Sequence, residues 1–362
     1  MPFESTYHDL IAGRRRGPLA TLARGGLWAL AGPYALAVRG RNLAFDRGWR
    51  TVHAAAVPVI SVGNLTVGGV GKTPLVEWLC RYYRSRGVRV ATLSRGYRSR
   101  AGSSNDEALQ LAENLPDVPH LANPNRVASA RVAVEERGVQ LLVLDDGFQH
   151  RQLGRDLDIV LLDATNPFGG GLAPRGLLRE PVASLARADI IGLTRADQVD
   201  ESTRKSIRER ARKHAPEATW IELAHQPQFL ANTAQRRELT ELAGERVLAF
   251  CGIANPAAFA RTLTDCGCEL ASLHRFPDHH HFGRDDIESL KAWVRRESAE
   301  GTPSAVLCTQ KDFVKLRLDM LGGVPLYAVH VAMEIRQGQD SLERRLAAIP
   351  SEPAAKAREA AR

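Results

Sequence analysis

A glycine-rich loop with a helical pattern behind it is the strongest chemical signal in the sequence. The residues run Val62-Gly63-Asn64-Leu65-Thr66-Val67-Gly68-Gly69-Val70-Gly71-Lys72-Thr73-Pro74 after an apolar stretch. Glycines let backbone N–H groups converge on phosphate oxygens, Lys72 reaches the outer phosphates, and the Thr73 hydroxyl is placed to bind Mg²⁺. The loop therefore predicts a nucleotide site, and its expected nucleotide-binding residues are Gly68, Gly69, Val70, Gly71, Lys72, Thr73 and Pro74.

This loop departs from the strict GxxxxGK[ST] pattern, which would place glycine where the chain has Thr66. Its GGxGKT core is similar to the loops of partition proteins and nitrogenase iron proteins. Those proteins carry a second lysine where this chain has Val67, so that group is disfavoured. A glycine loop that binds no nucleotide is the remaining alternative.

Two carboxylates, Asp145 and Asp146, end the apolar run Leu141-Leu142-Val143-Leu144. A carboxylate at the carboxyl end of a buried strand beside a phosphate loop holds Mg²⁺ directly or through water. Alone the pattern is weak, because turns after strands often have this composition. Together with the glycine loop, it predicts that Asp145 and Asp146 complete a Mg²⁺ and nucleotide site.

Short aliphatic runs alternate with helical stretches from residue 57 onward. The runs cover residues 57–62, 88–94, 140–145, 157–163, 188–194, 247–251, 304–309 and 325–331. This alternation predicts an α/β fold with a doubly wound, mostly parallel sheet of the P-loop NTPase type. We expect an N-terminal membrane-facing helical segment (1–50), a P-loop core (51–235), a smaller C-terminal α/β domain (236–345) and a disordered tail (346–362).

The first fifty residues differ from the rest of the chain. From Arg14 to Arg50 there are eight arginines and one acid, Asp46, around an apolar stretch from Gly25 to Val38. A membrane-spanning helix needs about 20 apolar residues, so this stretch is predicted to lie on an anionic membrane surface instead. The alternatives are a helical hairpin packed on the core and a secretory signal, which would carry the nucleotide motif away from ATP.

Composition sets broader limits. The 362 residues carry a formal charge of +8, which suits a phosphate-bearing or anionic-lipid partner without choosing between them. Five cysteines without a CxxC pair predict reduced thiols, and the single C-x-C at Cys266 and Cys268 is a weak metal signal.

Several further motifs occur in an order that resembles the tetraacyldisaccharide 4′-kinase family, over roughly residues 10 to 335. Besides the glycine loop they are Ser94-Arg95-Gly96-Tyr97, Asp106-Glu107, Asp145-Asp146-Gly147-Phe148-Gln149-His150, Pro174-Arg175-Gly176, Arg179-Glu180-Pro181, Phe276-Pro277-Asp278-His279-His280 and Thr309-Gln310-Lys311-Asp312. One departure is Ala108 after the acid pair, where the family usually has proline, with Asn105 before it instead of glycine.

The resemblance implies an enzyme that uses ATP and Mg²⁺ to phosphorylate the 4′-hydroxyl of a tetraacyldisaccharide 1-phosphate. Its product would be lipid IVA, in the synthesis of lipid A. The implied partners are the acylated disaccharide and the anionic inner-membrane surface. The implied location is peripheral, on the cytoplasmic face of that membrane, and no nucleic-acid partner is expected.

Site roles also follow from the resemblance. Asp106 is the implied base, His279 its partner, and Asp278 the residue that fixes the histidine tautomer, while Glu107 would join Thr73 and the Asp145–Asp146 pair at the metal. By composition alone, Asp106 reads as a helix cap and the histidine run as a solvated loop or metal ligands. Further candidates for phosphate or substrate contacts are Asn64, Arg95, Arg126, Gln149, His150, Arg175 and Arg179.

Two other functional classes remain open from the sequence: a P-loop ATPase switch with a protein or nucleic-acid partner, and a soluble small-molecule kinase. A switch would need no Asp106–His279 pair, and a soluble kinase would need no arginine-edged apolar segment. Thr194-Arg195-Ala196-Asp197 and Thr309-Gln310-Lys311-Asp312 loosely resemble the base-reading motif of GTPases. The active site is expected between the core and the C-terminal domain, which carry Asp106 and His279 respectively.

Overall fold

The computed structural model describes residues 7, 9–11, 13–96, 106–278 and 280–349, with only the backbone of Asp106 and Glu107. Two compact units are present. The first comprises Met1–Ser103, Asn114–Ala224 and Met333–Arg362, and the second comprises Ser104–Glu113 and His225–Ala332. The boundaries between the units differ from the domain boundaries predicted at residues 50, 235 and 345. Residues 104–113 belong with the second unit, and the chain returns to the first unit at Met333.

The first unit is built on a parallel sheet. Its strands are β1 (Val59–Asn64), β2 (Val90–Ser94), β3 (His120–Ala122), β4 (Leu141–Asp145), β5 (Leu157–Asp163), β6 (Ile190–Thr194) and the start of β7 (Thr219–Ala231). They lie in the order β3-β2-β4-β1-β5-β6-β7. Every residue of β1, β4 and β5 is buried, as expected for a parallel sheet covered on both faces.

Five helices described in this unit are α1 (Pro18–Asp46), α2 (Lys72–Arg84), α4 (Arg126–Arg137), α5 (Glu201–Arg212) and α9 (Gln339–Ala347). Helix α9 covers the first residues of the predicted disordered tail, and its buried Leu346 offers a carbonyl to the Tyr83 hydroxyl at 2.9 Å. The remainder of that predicted tail, from residue 350, lies outside the described residues.

The strands of the second unit lie in the order β10-β9-β11-β13-β7. The strands are β8 (Arg236–Glu238), β9 (Arg246–Cys251), β10 (Glu269–Arg275), β11 (Ala305–Thr309), β12 (Met320–Leu321) and β13 (Val324–Gln337), and β8 and β12 form antiparallel pairs with β7 and β13. Its helices are α3 (Asp106–Asn114), α6 (Pro256–Asp265), α7 (Arg284–Ser298) and α8 (Gln310–Leu316).

The predicted α/β class with a mostly parallel sheet is confirmed, and each of the eight predicted apolar runs overlaps a strand. The strands missed from the sequence are β3, β7, β8, β10 and β12. Strands β3, β8 and β12 have two or three residues each, and β10 is only partly buried, with both ends exposed. In β7 the buried residues 220–224 include the charged Glu222. Such strands lack the continuous apolar run that marks a fully buried strand.

Residues 18–46 form one long helix, which passes through Pro33 without a break. Within residues 18–46 the chain makes no hairpin turn. Val38, Asn42 and Phe45 are buried in the C-terminal part of this helix. Large apolar side chains are exposed along the part that precedes them, Leu19, Leu22, Trp28, Leu30 and Leu36. No helix among the described residues is long and apolar enough to cross a membrane.

Candidate functional site

The glycine loop joins β1 to α2 at the carboxyl edge of the first sheet. Gly68 and Gly71 have φ values of 113° and 81°, a region that glycine adopts without strain, and Gly71 caps the helix that begins at Lys72. A Cβ at Gly63 would lie 2.5 Å from the Cβ of Phe148, so glycine is required for the loop to approach the turn after β4. The predicted phosphate loop thus has the strand, loop and helix arrangement that binds phosphates.

Asp146, directly after β4, is the centre of a charged cluster. Its carboxylate lies 3.2 Å from Lys72 Nζ and 2.8 Å from Arg179 Nη1. Arg126 is buried and donates to the Asp146 carbonyl at 2.9 Å. Three of the predicted site residues therefore converge on Asp146 beside the phosphate loop.

Burial alone would favour the neutral acid at Asp146. Lys72, Arg179 and Arg126 outweigh that effect and hold the pKa of Asp146 below its usual range. Arg126 has a lowered pKa, chiefly because burial disfavours its charge. At neutral pH Asp146 is therefore a carboxylate that keeps several cations gathered at one point.

Two predicted polar residues connect the loop to this cluster. Asn64, fully buried at the end of β1, accepts from Lys72 Nζ at 3.2 Å and donates to the Thr66 carbonyl at 2.7 Å. Gln149 donates to the Asn64 carbonyl at 2.9 Å. Asn64 therefore aligns Lys72 and braces the loop, at the position where Thr66 replaces the glycine of the strict pattern.

His150 lies at the end of the same turn and is half-buried. Burial, with the nearby charges of Arg126, Arg155 and Arg95, lowers the pKa of His150 to about 4. Its Nε2 is buried and makes no hydrogen bond within the described part of the chain. His150 is thus neutral at pH 7 in the protein without nucleotide, where it can take part in hydrogen bonding.

Arg175, a predicted phosphate contact, has a different partner. Its Nη1 donates to the Ile11 carbonyl at 3.1 Å, so it fastens the N-terminal segment to the loop before Arg179. Arg95 is exposed just beyond β2. Its positive charge contributes to the lowered pKa values of His150 and Arg126.

An interaction that sequence reasoning missed lies on the other flank of the loop. Arg195 follows β6 in a left-handed conformation, pairs with Asp163 at the end of β5, and donates to the Gly69 carbonyl at 3.1 Å. The Thr194–Asp197 stretch was noticed only for its likeness to a base-reading motif. Arg195 and Asp163 follow or end two apolar runs that become neighbouring parallel strands, and this position could have predicted their ion pair.

We expect Arg195→Ala to raise the KM for ATP by about fivefold to tenfold, because the loop carbonyl loses a charged hydrogen bond and Asp163 loses its cation. Arg212→Ala, which removes an exposed arginine from α5, is the matched control. Steady-state kinetics at varied ATP measure the effect. An unchanged KM in a folded Arg195→Ala protein would show that this arginine does not shape the loop.

The predicted metal residues are placed only in part. Asp145 is buried at the end of β4 and Thr73 lies in the first turn of α2, while the Glu107 side chain is outside the described residues. Among the described residues, no group of three or more His, Cys, Asp or Glu side chains forms a metal cage. This donor set fits Mg²⁺, which binds through one or two protein oxygens together with phosphates and water.

In the second unit, helix α8 holds the loop that follows β10. Lys311 lies 3.1 Å from the Asp278 carboxylate, and Lys315 donates to the His280 carbonyl at 2.9 Å. Fully buried Asp312 accepts from the Gly252 N–H at 2.9 Å and from the Thr309 hydroxyl at 2.6 Å. Lys311 and Lys315 therefore anchor the loop that follows β10, and the Asp312 carboxylate is fully buried, with Lys315 Nζ 3.3 Å from its Oδ1.

The segments around the predicted base and its partner both contact helix α8. His279 and the side chain of Asp106 lie outside the described residues. Helix α3, which begins at Asp106, shares the second unit with Asp278, and Gln110 on this helix donates to Gln310 on α8 at 3.2 Å. Helix α8 thus contacts both the helix that starts at Asp106 and the loop that contains His279.

A parallel sheet with a glycine loop, an adjacent lysine and a carboxylate at the end of the next strand defines a P-loop nucleotide-binding protein. The sequence model described as tetraacyldisaccharide-1-P 4′-kinase matches residues 23–350. The chain belongs to this family.

Known proteins agree with that assignment. The tetraacyldisaccharide 4′-kinase of Anaeromyxobacter dehalogenans (strain 2CP-C) is 41% identical over 354 residues, covering 92% of each chain. That of Syntrophotalea carbinolica is 37% identical and covers 95% of this chain and 97% of its own. The crystal structure of LpxK from Aquifex aeolicus in complex with ATP superposes with a TM-score of 0.70 at 27% identity, covering 90% of this chain and 99% of that one.

Proposed function

We propose that this protein transfers the γ-phosphate of ATP to the 4′-hydroxyl of a tetraacyldisaccharide 1-phosphate, forming lipid IVA in lipid A synthesis. The observation that carries the proposal is the convergence of Lys72, Arg179 and Arg126 on Asp146 beside a phosphate loop, in a chain of this family. A loop of this kind with three cations suits a phosphoryl group, whose charge spreads over its oxygens during transfer.

On the nucleotide side, backbone N–H groups of residues 68–72 would cradle the phosphates while Lys72 follows the migrating phosphoryl group. Arg179 and Arg126 would add positive charge around it, and Asn64 keeps Lys72 aligned. Mg²⁺, held by Thr73, Asp145 or Asp146, and Glu107, would neutralise phosphate charge and orient the chain of phosphates. These roles follow from residue chemistry and from the contacts around Asp146.

On the acceptor side, Asp106 would accept the proton of the sugar hydroxyl, with His279 orienting it and sharing the proton. Asp278 would fix the histidine tautomer. Two contacts of helix α8 support these roles. Lys311 pairs with Asp278, and Gln310 accepts a hydrogen bond from Gln110 on the helix that begins at Asp106. Asn64, Gln149, His150, Arg95 and Arg175 remain candidates for contacts with phosphate or substrate.

The deciding experiment measures ³²P transfer from γ-labelled ATP to the monophosphorylated disaccharide lipid in mixed micelles, with and without Mg²⁺. We expect label in the lipid, at the 4′ position, only when Mg²⁺ is present. ATP hydrolysis without labelled lipid would favour the ATPase-switch alternative. Transfer to water-soluble sugars with no need for the acyl chains would favour the soluble-kinase alternative.

We also propose that helix α1 binds the protein to the inner-membrane surface, on the cytoplasmic side where ATP is available. Leu19, Leu22, Trp28, Leu30 and Leu36 are 60% to 82% exposed on one helix. Between residues 17 and 38 the single charged side chain is Arg24. An exposed apolar surface flanked by arginines is the composition of helices that lie in a membrane interface.

Replacing Leu22, Trp28, Leu30 and Leu36 together by serine is expected to release the protein from anionic vesicles and to raise the KM for the lipid more than the KM for ATP. The buried face of the helix stays intact, so the melting temperature should change little. Met320→Ser, which removes an exposed apolar side chain elsewhere, is the control. Sedimentation with vesicles at low and high salt measures binding, and unchanged binding by the serine variant would contradict the interfacial role.

A further inference from the structure

Residues 177–180 pair with the entrance of the phosphate loop. The Val67 N–H donates to the Leu177 carbonyl and the Arg179 N–H donates to the Leu65 carbonyl, each at 2.7 Å. The Arg179 side chain then reaches both carboxylate oxygens of Asp146, at 2.9 and 2.8 Å. This segment therefore supports the loop through its backbone and the charged cluster through its side chain.

The same segment is held on its other side by helix α1. The Tyr34 hydroxyl donates to the Arg179 carbonyl at 2.8 Å. The next residue, Glu180, is fully buried and accepts from Arg41 at 2.6 Å, from Asn42 at 3.0 Å and from Arg187 at 2.8 Å. Arg179 thus lies between a tyrosine on the helix and an aspartate of the site.

Glu180 is charged despite its burial. Burial favours its neutral form, but the charge of Arg187 and the hydrogen bonds from Arg187 and Asn42 lower its pKa below the usual range. A buried carboxylate with several donors has one favourable position, because losing any donor leaves an uncompensated charge. The backbone at residues 179 and 180 is therefore fixed relative to helix α1.

We propose that Tyr34 and Glu180 are positioning residues, which hold Arg179 against Asp146. Packing of helix α1 on residues 179 and 180 and assembly of the phosphate site are then coupled. This proposal rests on the proposed function, since Arg179 is taken to act on the transferred phosphoryl group. It gives the helix a second role besides membrane binding. A helix displaced from residues 179 and 180 would leave them without the contacts from Tyr34, Arg41 and Asn42.

The test is a double-mutant cycle in the full-length chain, using Tyr34→Phe, Arg179→Gln and the pair. Tyr34→Phe removes one hydroxyl, so we expect kcat to fall about fivefold with an unchanged KM for the lipid. In the Arg179→Gln background the same change should have no further effect, because Tyr34 acts through Arg179. If Tyr34→Phe lowered kcat by the same factor in the wild type and in Arg179→Gln, the proposal would be overturned. Equal factors would mean that the two residues act independently, as they would if Tyr34 only affected folding.

Asp46→Asn is the matched control. Asp46 pairs with Arg151 at 2.7 Å and anchors the same helix without touching residues 177–180. Its kcat should match that of the wild type, because the contacts of Tyr34 and Glu180 still hold helix α1 at residues 179 and 180. A loss equal to that of Tyr34→Phe would overturn the proposal that Tyr34 positions Arg179. The Kd for ATP, measured by calorimetry on the same proteins, should show the same non-additivity. Because that Kd needs no lipid acceptor, it tests the positioning role even if wild-type transfer to the disaccharide fails.

Discussion

Replacement of Lys72 by alanine is expected to lower kcat by about 100-fold or more while the protein stays folded. The ammonium group lies 3.2 Å from Asp146 and is aligned by Asn64, so it is already in place for the transferred phosphoryl group. Removing a preorganised charge from a site where charge develops costs about 100-fold to 1,000-fold in rate. Asp146 would keep Arg179 and Arg126, and its pKa should therefore rise without the carboxylate becoming neutral at pH 7.

Lys205→Ala is the control for this experiment, because it removes an exposed lysine from helix α5 of the same unit. Rates should be measured at saturating ATP and lipid, together with the melting temperature. A folded Lys72→Ala protein that retains more than about a tenth of the wild-type kcat would rule out the phosphate-loop role, given the size of such effects.

Asp106→Asn is expected to lower kcat sharply, with the Kd for ATP close to that of the wild type. The amide is nearly isosteric with the acid, but it cannot accept the proton of the sugar hydroxyl. His279→Ala should cost less, since Asp106 would remain as a poorly oriented base. The double variant should be little worse than Asp106→Asn, because residues that act as one unit are strongly non-additive.

Two nearby residues serve as matched controls. Glu113→Gln changes an exposed acid on the same helix as Asp106, and His281→Ala changes an exposed histidine of the same run as His279. If Asp106 were only a helix cap, its replacement would cost about 0.5–2 kcal/mol of stability and leave the chemistry intact. Independent, multiplicative losses in rate, or a melting temperature that accounts for all the lost activity, would exclude the pair as a catalytic unit.

Local patterns were enough to predict the central part of this fold. Continuous apolar runs located β1, β4 and β5, because strands buried on both faces need side chains that are apolar on both faces. The glycine loop was equally clear from the sequence, because its conformation requires glycine. Gly68 and Gly71 have positive φ values, and Gly63 lies too close to Phe148 for a side chain. The glycine loop predicted the role of Lys72, and Arg126 and Arg179 were candidates for phosphate or substrate contacts. The structure brings these three side chains together around Asp146.

Residues far apart in the chain could not be paired in this way. Arg195 and Asp163 meet because β5 and β6 are neighbours, and Lys311 meets Asp278 because helix α8 lies under the loop after β10. Arg175 was a candidate for a phosphate or substrate contact because it lies in a family motif. In the structure it donates instead to the Ile11 carbonyl, a partner that the motif could not predict. Charge and residue type set which partners are possible, while strand order determines which of them is close enough.

The amino-acid sequence by itself determined the α/β class, the phosphate loop, the acid pair and the family, because each depends on the order and spacing of neighbouring residues. Only the tertiary structure decided that Asp312 is buried as an anchor, that Glu180 joins helix α1 to the phosphate site, and that helix α3 belongs with the second unit. The physical reason is that a side chain is buried or ion-paired only when segments distant in the sequence pack against it and exclude water. Which segments do so is set by the tertiary structure.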